Sequence, residues 1–367
     1  MIKILFFIDG ITGGGAEKVL RTLVNNMDQS KFEITVQTLE DVDPKQYLAP
    51  GIRYKAINRC KTPLGRKLFH YWVRLCAELK WLYPLCIRDD YDIEVAYLEC
   101  APTKILSGST NQKAKKIAWL HCDLEKRGMD NPKKAKAWYD RYDKVVCVSE
   151  TVKRSFHKVI GSSTDACILY NVNDETDILS KAEAFEVDKP EPVTFLTVGR
   201  LSYEKGNDRL LDACKMLKDA GYAFNIWLVG DGPEREKLMQ KASDSGLDEQ
   251  VSFLGFQTNP YPYIKTADVI VTPSRYEGFS TVVTEAMILG KSVVTTPCSG
   301  MDELLGDNEF GLITEDSVEG IYQGMKKMLE NPELRAHYAQ KAAIRGRDFS
   351  KEKLVSQTEQ FFRELLK

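Results

Sequence analysis

The sequence predicts an α/β protein of two parallel sheets, and three observations carry the prediction. Short apolar, β-rich runs alternate with helical patterns from end to end. The runs are apolar almost without interruption, as strands buried on both faces must be. The chain has 367 residues, more than one hydrophobic core usually serves. Candidate strands in the first half are KILFFID (3–9), EITVQTL (33–39), IEVAYL (93–98), KKIAWLH (115–121), KVVCVS (144–149) and ACILYN (166–171). In the second half they are VTFLTVG (193–199), NIWLVG (225–230), VSFLG (251–255), VIVTPS (269–274) and KSVVTT (291–296). Residues 172–192 are acidic, carry two prolines and lack a clear apolar face, which predicts a linker between domains spanning 1–171 and 193–348. Residues 349–367 predict an amphipathic final helix with a Ser cap and Leu354, Phe361, Phe362 and Leu365 on its apolar face.

Composition narrows the function classes. Apolar residues make up 43% and charged residues 28%, with no tract of about twenty apolar residues that would cross a bilayer. The first apolar run meets glycines almost at once, so it reads as a strand and not as a signal peptide; a cytoplasmic protein is expected. Nine cysteines show no CxxC pair and no Cys/His spacing suited to zinc, and most are expected as reduced, buried thiols. The net charge of -2 hides an asymmetry: residues 1–170 hold 28 Lys+Arg against 20 Asp+Glu, and residues 171–367 hold 23 against 33. An anionic partner for the first half and mutual attraction of the two halves are both consistent with this.

In open α/β sheets ligands bind beyond the carboxyl ends of the strands, so the segments after the strands are the place to look. VTFLTVG ends in Gly199 and Arg200, and Lys205 follows within five residues, with a helix expected from about Asn207. Two cations and backbone N–H groups make an anion site, although such a pair taken alone reads more readily as a solvated basic loop. Gly230-Asp-Gly-Pro lies between a strand and a helix, and alone is a βα turn. After VIVTPS comes RYEGFSTVVTEAM, in which Ser280 caps a helix beginning near Thr281. The N–H groups around Phe279 to Val282 then point out of the helix end, favourable for phosphate. Glu277 falls in the loop and Glu285 about one turn inside the helix, roughly 7 Å along its axis. That interval suits a nucleotide sugar, because each carboxylate accepts two hydrogen bonds from sugar hydroxyls.

VGRLSYEKG, GDGPER, the stretch from NPYPYIKTAD to KSVVTT, and Glu277 with Glu285 resemble the retaining glycosyltransferases of family 4 over most of residues 193–300. The resemblance implies the GT-B fold, two Rossmann-like domains facing across a cleft, with the final helix crossing back to the first domain. It implies that Glu277 contacts the donor hexose, Glu285 the ribose, and Arg200, Lys205 and the Ser280 helix end the leaving diphosphate. Glu277, His121, Arg200 and Lys205 become the catalytic candidates. Gly14, Gly15, Gly199, Gly230, Gly255, Phe256, Gly278, Phe279, Ser280, Thr281 and Glu285 join Arg200, Lys205 and Glu277 on the donor side. GITGGGAEKVLRTL (10–23) resembles the family's glycine-rich loop near donor phosphates and acceptor; it fits neither GxGxxG nor a P-loop. His121 matches a histidine beside the donor sugar, where a core histidine is the alternative.

The expected reaction is transfer of a sugar, with retention, from a nucleotide sugar, a UDP-sugar foremost, to a hydroxyl of an acceptor. No metal and no cofactor are expected, since the two cations serve the leaving group; Asp41-Val-Asp43, a DxD sequence, is the one warning. WLHCD, NPYPYIKTAD and TPCSGMDE resemble bacterial capsule, exopolysaccharide and O-antigen enzymes, which implies an acceptor glycan linked to undecaprenyl diphosphate. Residues 65–88 mix Arg66, Lys67, Arg74, Lys80 and Arg88 with five aromatics; they would lie in an anionic membrane interface or form a core helix with a basic face. Peripheral attachment to the inner face of the cell membrane follows from the first reading, and no nucleic-acid partner is expected. A non-catalytic subunit and an epimerase or phosphorylase of the same architecture remain alternatives.

Overall fold

In the computed structural model, residues 1–58, 62, 65, 82–129 and 131–367 are described. The chain divides into two compact units, Met1–Val172 with Lys351–Lys367, and Asn173–Ser350.

The first unit holds a seven-stranded sheet of β1 (Ile2–Ile8), β2 (Phe32–Glu40), β3 (Arg53–Asn58), β4 (Ile93–Ala96), β5 (Lys115–Leu120), β6 (Lys144–Cys147) and β7 (Ala166–Ile168). Its order is β3-β2-β1-β4-β5-β6-β7, and every pairing is parallel. The central strand explains the unbroken apolar runs: Ile4, Leu5, Phe6, Phe7 and Ile8 have no exposed surface, because neighbouring strands take the edges and helices the faces. The terminal helix Lys351–Leu365 belongs to this unit. Phe362 packs edge-on against Phe6 at 6.0 Å and Phe32 at 6.4 Å, and the Glu359 carboxylate accepts the Asp28 N–H at 2.7 Å.

The second unit holds β8 (Thr194–Val198), β9 (Asn225–Val229), β10 (Val251–Gly255), β11 (Val269–Thr272), β12 (Ser292–Thr295) and β13 (Leu312–Ile313). They form a parallel sheet in the order β10-β9-β8-β11-β12-β13. In each sheet the strand order reverses beside the first strand, between β1 and β4 and between β8 and β11. A crevice opens at such a point because the two flanking crossovers leave in opposite directions.

The eleven expected strands are present, and β3 and β13 are additions. β3 is an edge strand with mostly half-exposed residues, and β13 is two residues long; neither has the continuous apolar run of a central strand. The segment expected as a linker carries a helix, Glu175–Ala182, capped by Asp174. Ile178 and Ala182 are its buried residues, and Asn259 Nδ2 bonds the Lys181 carbonyl at 2.8 Å. Residues 66–81, the body of the suggested membrane helix, lie outside the described residues. At the end of that stretch Leu82–Cys86 is helical, with Leu82 and Tyr83 buried, so Tyr83 serves the core and not a surface. None of the described helices is long and apolar enough to cross a membrane.

Candidate functional site

In the second unit the loops after β8 and β11, at the strand-order reversal, are stitched together. The Arg275 guanidinium makes two 2.7 Å bonds to the Asp208 carboxylate, lies 4.1 Å from the Tyr203 ring centroid, and bonds the Tyr203 carbonyl. The Arg275 N–H donates to the Glu204 carbonyl at 2.8 Å. Gly206, at φ +67°, sits so close to Pro273 that a Cβ would lie 2.0 Å from its carbonyl oxygen. Only glycine permits that approach.

This clamp sets Lys205 beside Glu277. Lys205 Nζ lies 2.6 Å from Glu277 Oε1, which also accepts the Ser274 hydroxyl at 2.8 Å. The side chains are 27% and 14% exposed. Burial pulls the Lys205 ammonium down, but the Glu277 charge and hydrogen bond outweigh it, and the net shift is upward; Lys205 is a fixed cation. Arg200 is exposed and has no ion-pair partner among the described residues, so its guanidinium is available to an anion.

Ser280 caps the helix Thr281–Ile288, its hydroxyl accepting the Val283 N–H at 3.4 Å. Lys205, Gly199, Ser274, Glu277 and Ser280 line one small cavity. Phe279 is 5% exposed and its ring packs on Phe349 at 5.8 Å, so toward a ligand it can offer only backbone. Gly278 precedes it in the loop, and Thr281 is the half-buried first residue of the helix. Glu285 is 4% exposed, so it is not a solvated surface acid of this helix. Gly230 joins β8 to β10: its N–H donates to Gly255 O at 2.8 Å, and a Cβ on it would lie 1.8 Å from Gly199 O. Phe256, just beyond, is 68% exposed.

The first unit carries the other candidates. Gly14 is the N-cap and Gly15 the first residue of the helix Gly15–Asn26. The N–H groups of Gly13 and Gly14 donate to Glu17 Oε2 at 2.6 and 3.0 Å. The glycine-rich loop therefore already holds an anion of its own, which differs from an open phosphate cradle. His121 follows β5, its ring 4.8 Å from Tyr97 and stacked with Trp119 at 6.4 Å. Burial pushes its imidazole down to about 3, leaving it neutral, and its Nε2 has no hydrogen-bond partner among the described residues. Glu99, 5% exposed, accepts the backbone N–H groups of His121 and Cys122 and fixes this turn.

Sequence reasoning missed Glu99, Ser274, Asn207 and the Arg275–Asp208 clamp. Glu99 and the Arg275–Asp208 clamp have partners 22 and 67 residues away, so no local spacing announced them; Ser274, which bonds Glu277 three residues on, and Asn207 are residue types too common at such positions to stand out. Asp43 of the DxD sequence caps the turn at Pro44–Gln46, its carboxylate accepting the Lys45 N–H at 3.1 Å. Among the described residues no three His, Cys, Asp or Glu side chains cluster in a way that could hold a metal. The described cysteines are free thiols, but against the expectation of burial only Cys147, Cys214 and Cys298 are buried; Cys86, Cys122 and Cys167 are half-buried and Cys100 is exposed.

Two parallel-sheet Rossmann-like domains, each with its candidate residues at the carboxyl ends of the strands, are the architecture of the GT-B glycosyltransferases. The chain is a glycosyltransferase of that fold: residues 13–176 match the family model for Glycosyltransferase Family 4, and residues 180–345 that for Glycosyl transferases group 1. It is 28% identical over 366 residues, 97% of this chain and 98% of the other, to the N-acetylgalactosamine-N,N'-diacetylbacillosaminyl-diphospho-undecaprenol 4-alpha-N-acetylgalactosaminyltransferase of Campylobacter jejuni. It is 24% identical to an amylovoran biosynthesis glycosyltransferase of Erwinia amylovora, over 97% of this chain and 98% of that one. Among solved structures, Anabaena HepE in complex with UDP and glucose superposes with a TM-score of 0.78 at 22% identity, covering 99% of this chain and 100% of that one. Sucrose-phosphate synthase of Thermosynechococcus elongatus gives 0.82 at 17% identity, over 100% of this chain and 99% of that one.

Proposed function

We propose that this glycosyltransferase moves a hexosyl or N-acetylhexosaminyl group, with retention, from a UDP-sugar to a hydroxyl of a glycan carried on undecaprenyl diphosphate, in the synthesis of a bacterial surface polysaccharide. The observation that carries the reading is the Lys205–Glu277 pair, held at 2.6 Å beside the Ser280 helix end and the exposed Arg200. Cleavage of the bond from the anomeric carbon to the diphosphate oxygen leaves negative charge on that oxygen. Lys205, Arg200 and the helix N–H groups are of the kind that stabilises it. The acceptor hydroxyl attacks from the same face and its proton passes to the departing phosphate oxygen, so Glu277 serves by orienting Lys205 and the hexose and forms no covalent bond. Glu285 takes the ribose, and neutral His121 contacts the donor sugar as a hydrogen-bonding group.

Support for the donor and acceptor comes from relatives: the Campylobacter enzyme's name specifies a diphospho-undecaprenol substrate, and HepE was solved with UDP-glucose. The basic excess of residues 1–170 suits an acceptor on an anionic membrane, to which the protein attaches peripherally. No metal is needed, because fixed cations do its work on the leaving group.

A thermal-shift series with UDP-, GDP- and ADP-sugars, followed by UDP release from the stabilising donor, tests the reading. A UDP-sugar should raise Tm by mass action and be slowly hydrolysed, with the rate unchanged in excess EDTA. Stabilisation by GDP- or ADP-sugars alone would overturn the donor assignment. Binding without hydrolysis or transfer would make the chain a sugar-nucleotide-binding subunit. Salt-insensitive binding to anionic liposomes, or none, would count against the membrane part.

A further inference from the structure

Behind the Lys205–Glu277 pair, Thr197, Asn207, Thr272 and Ser274 complete the wall of a small cavity with room for about one water. Asn207 is the first residue of the helix Asn207–Asp219 and is 3% exposed. Its Oδ1 has no hydrogen-bond partner among the described residues. A buried amide acceptor left unpaired is unfavourable, and almost every such group in a folded protein has a partner, protein or water. An apolar residue at the start of this helix would seal the β8 loop against the sheet as well. The position instead carries an amide facing a space that it shares with an ammonium. Lys205 has three N–H donors and gives one to Glu277.

We propose that Asn207 is a positioning residue: its amide holds one ordered water in this cavity against the Lys205 ammonium, and so keeps that ammonium in place for the leaving group. The water receives an N–H from Lys205 and donates to Asn207 Oδ1, which satisfies the orphaned acceptor and a second Lys205 donor together. The ammonium is thereby tethered on two sides, by Glu277 and by the water. A single tether would let the flexible lysine stem swing away as charge develops on the diphosphate. The role of Lys205 rests on the function proposed above; the water does not.

The test has a structural arm and a kinetic arm. In a high-resolution crystal structure of the full chain, density for one water should lie between the Asn207 amide and Lys205 Nζ, and should be missing in Asn207→Leu. UDP release from UDP-N-acetylgalactosamine and UDP-glucose without acceptor is then measured for the wild type, Asn207→Leu and Asn207→Ser. The Leu variant should lose at least about tenfold in kcat with donor KM within about threefold, because the interaction strengthens only as the leaving group departs. The Ser variant, whose hydroxyl and freed volume can still hold water, should recover most of the loss. An empty cavity in the wild-type crystal overturns the proposal, and so does a Leu variant with kcat within twofold of wild type. A wild-type protein that binds no nucleotide sugar would sink the proposed function instead, while the density still decides the water.

Discussion

Removing either partner of the Lys205–Glu277 pair should cripple the reaction, and removing both should do little further harm. The charged atoms lie 2.6 Å apart, with side chains 27% and 14% exposed. At an effective dielectric of about 20, unit charges at that separation attract by about 6 kcal/mol. Withdrawing two ions from water cancels most of this, and the solvent still touching Lys205 screens the remainder, leaving a coupling of about 1–3 kcal/mol. The perturbation is a double-mutant cycle of Lys205→Ala, Glu277→Gln and the combination. It is read twice, by urea unfolding of the second unit and by UDP release from the donor. Each single variant should lose about 10²–10³-fold in kcat, as expected when a fixed charge facing a developing oxyanion is removed or misplaced. The double variant should fall no more than about tenfold below the worse single one, because partners acting as a unit are not additive. Additivity within about 0.5 kcal/mol in both stability and rate would refute the claim that the pair works as one device.

Three further outcomes follow from the packing and the titrating groups. Gly230→Ala places a Cβ 1.8 Å from Gly199 O at φ +141°, so it should cost about 2–5 kcal/mol and weaken UDP binding more than tenfold by calorimetry; wild-type affinity would show that the strand ends do not shape the donor site. Phe362→Ala empties a fully buried position between Phe6 and Phe32 and should cost the first unit about 3–5 kcal/mol in urea, with the second unit's transition unchanged. His121 is lowered from 6.5 to about 3 by burial, so between those values the unfolded chain binds the proton that the folded chain refuses. Its contribution is full above pH 6.5 and is lost as pH falls, by about 2 kcal/mol at pH 5. His121→Phe should flatten the pH 5–7 stability profile, and an unchanged slope would mean the ring is solvated.

Much of the architecture was legible because central parallel strands must be apolar on both faces. KILFFID and VIVTPS announce themselves through composition alone, and RYEGFSTVVTEAM gives its helix start through Ser280, whose cap is a local interaction. β3 was not legible: RYKAIN lies at an edge with one side in solvent, so its pattern is diluted. The helix Glu175–Ala182 hid inside an acidic segment because only Ile178 and Ala182 of its eight residues are buried. The glycine-rich loop was readable by its glycines, but its engagement by Glu17 depends on a rotamer that sequence does not carry.

Sequence alone determined the alternation of strands and helices, the division of charge, and the acids and cations that follow the strands, since each is a matter of residue type at short spacing. Tertiary structure decided that Lys205 meets Glu277 across 72 residues, that the ring of Phe279 turns inward, that Glu285 is buried, and that the Asn207 Oδ1 faces a cavity with no partner among the described residues. These are long-range facts: strand order sets which loops become neighbours, and once the loops close, a side chain's partner depends on distance in space and not along the chain.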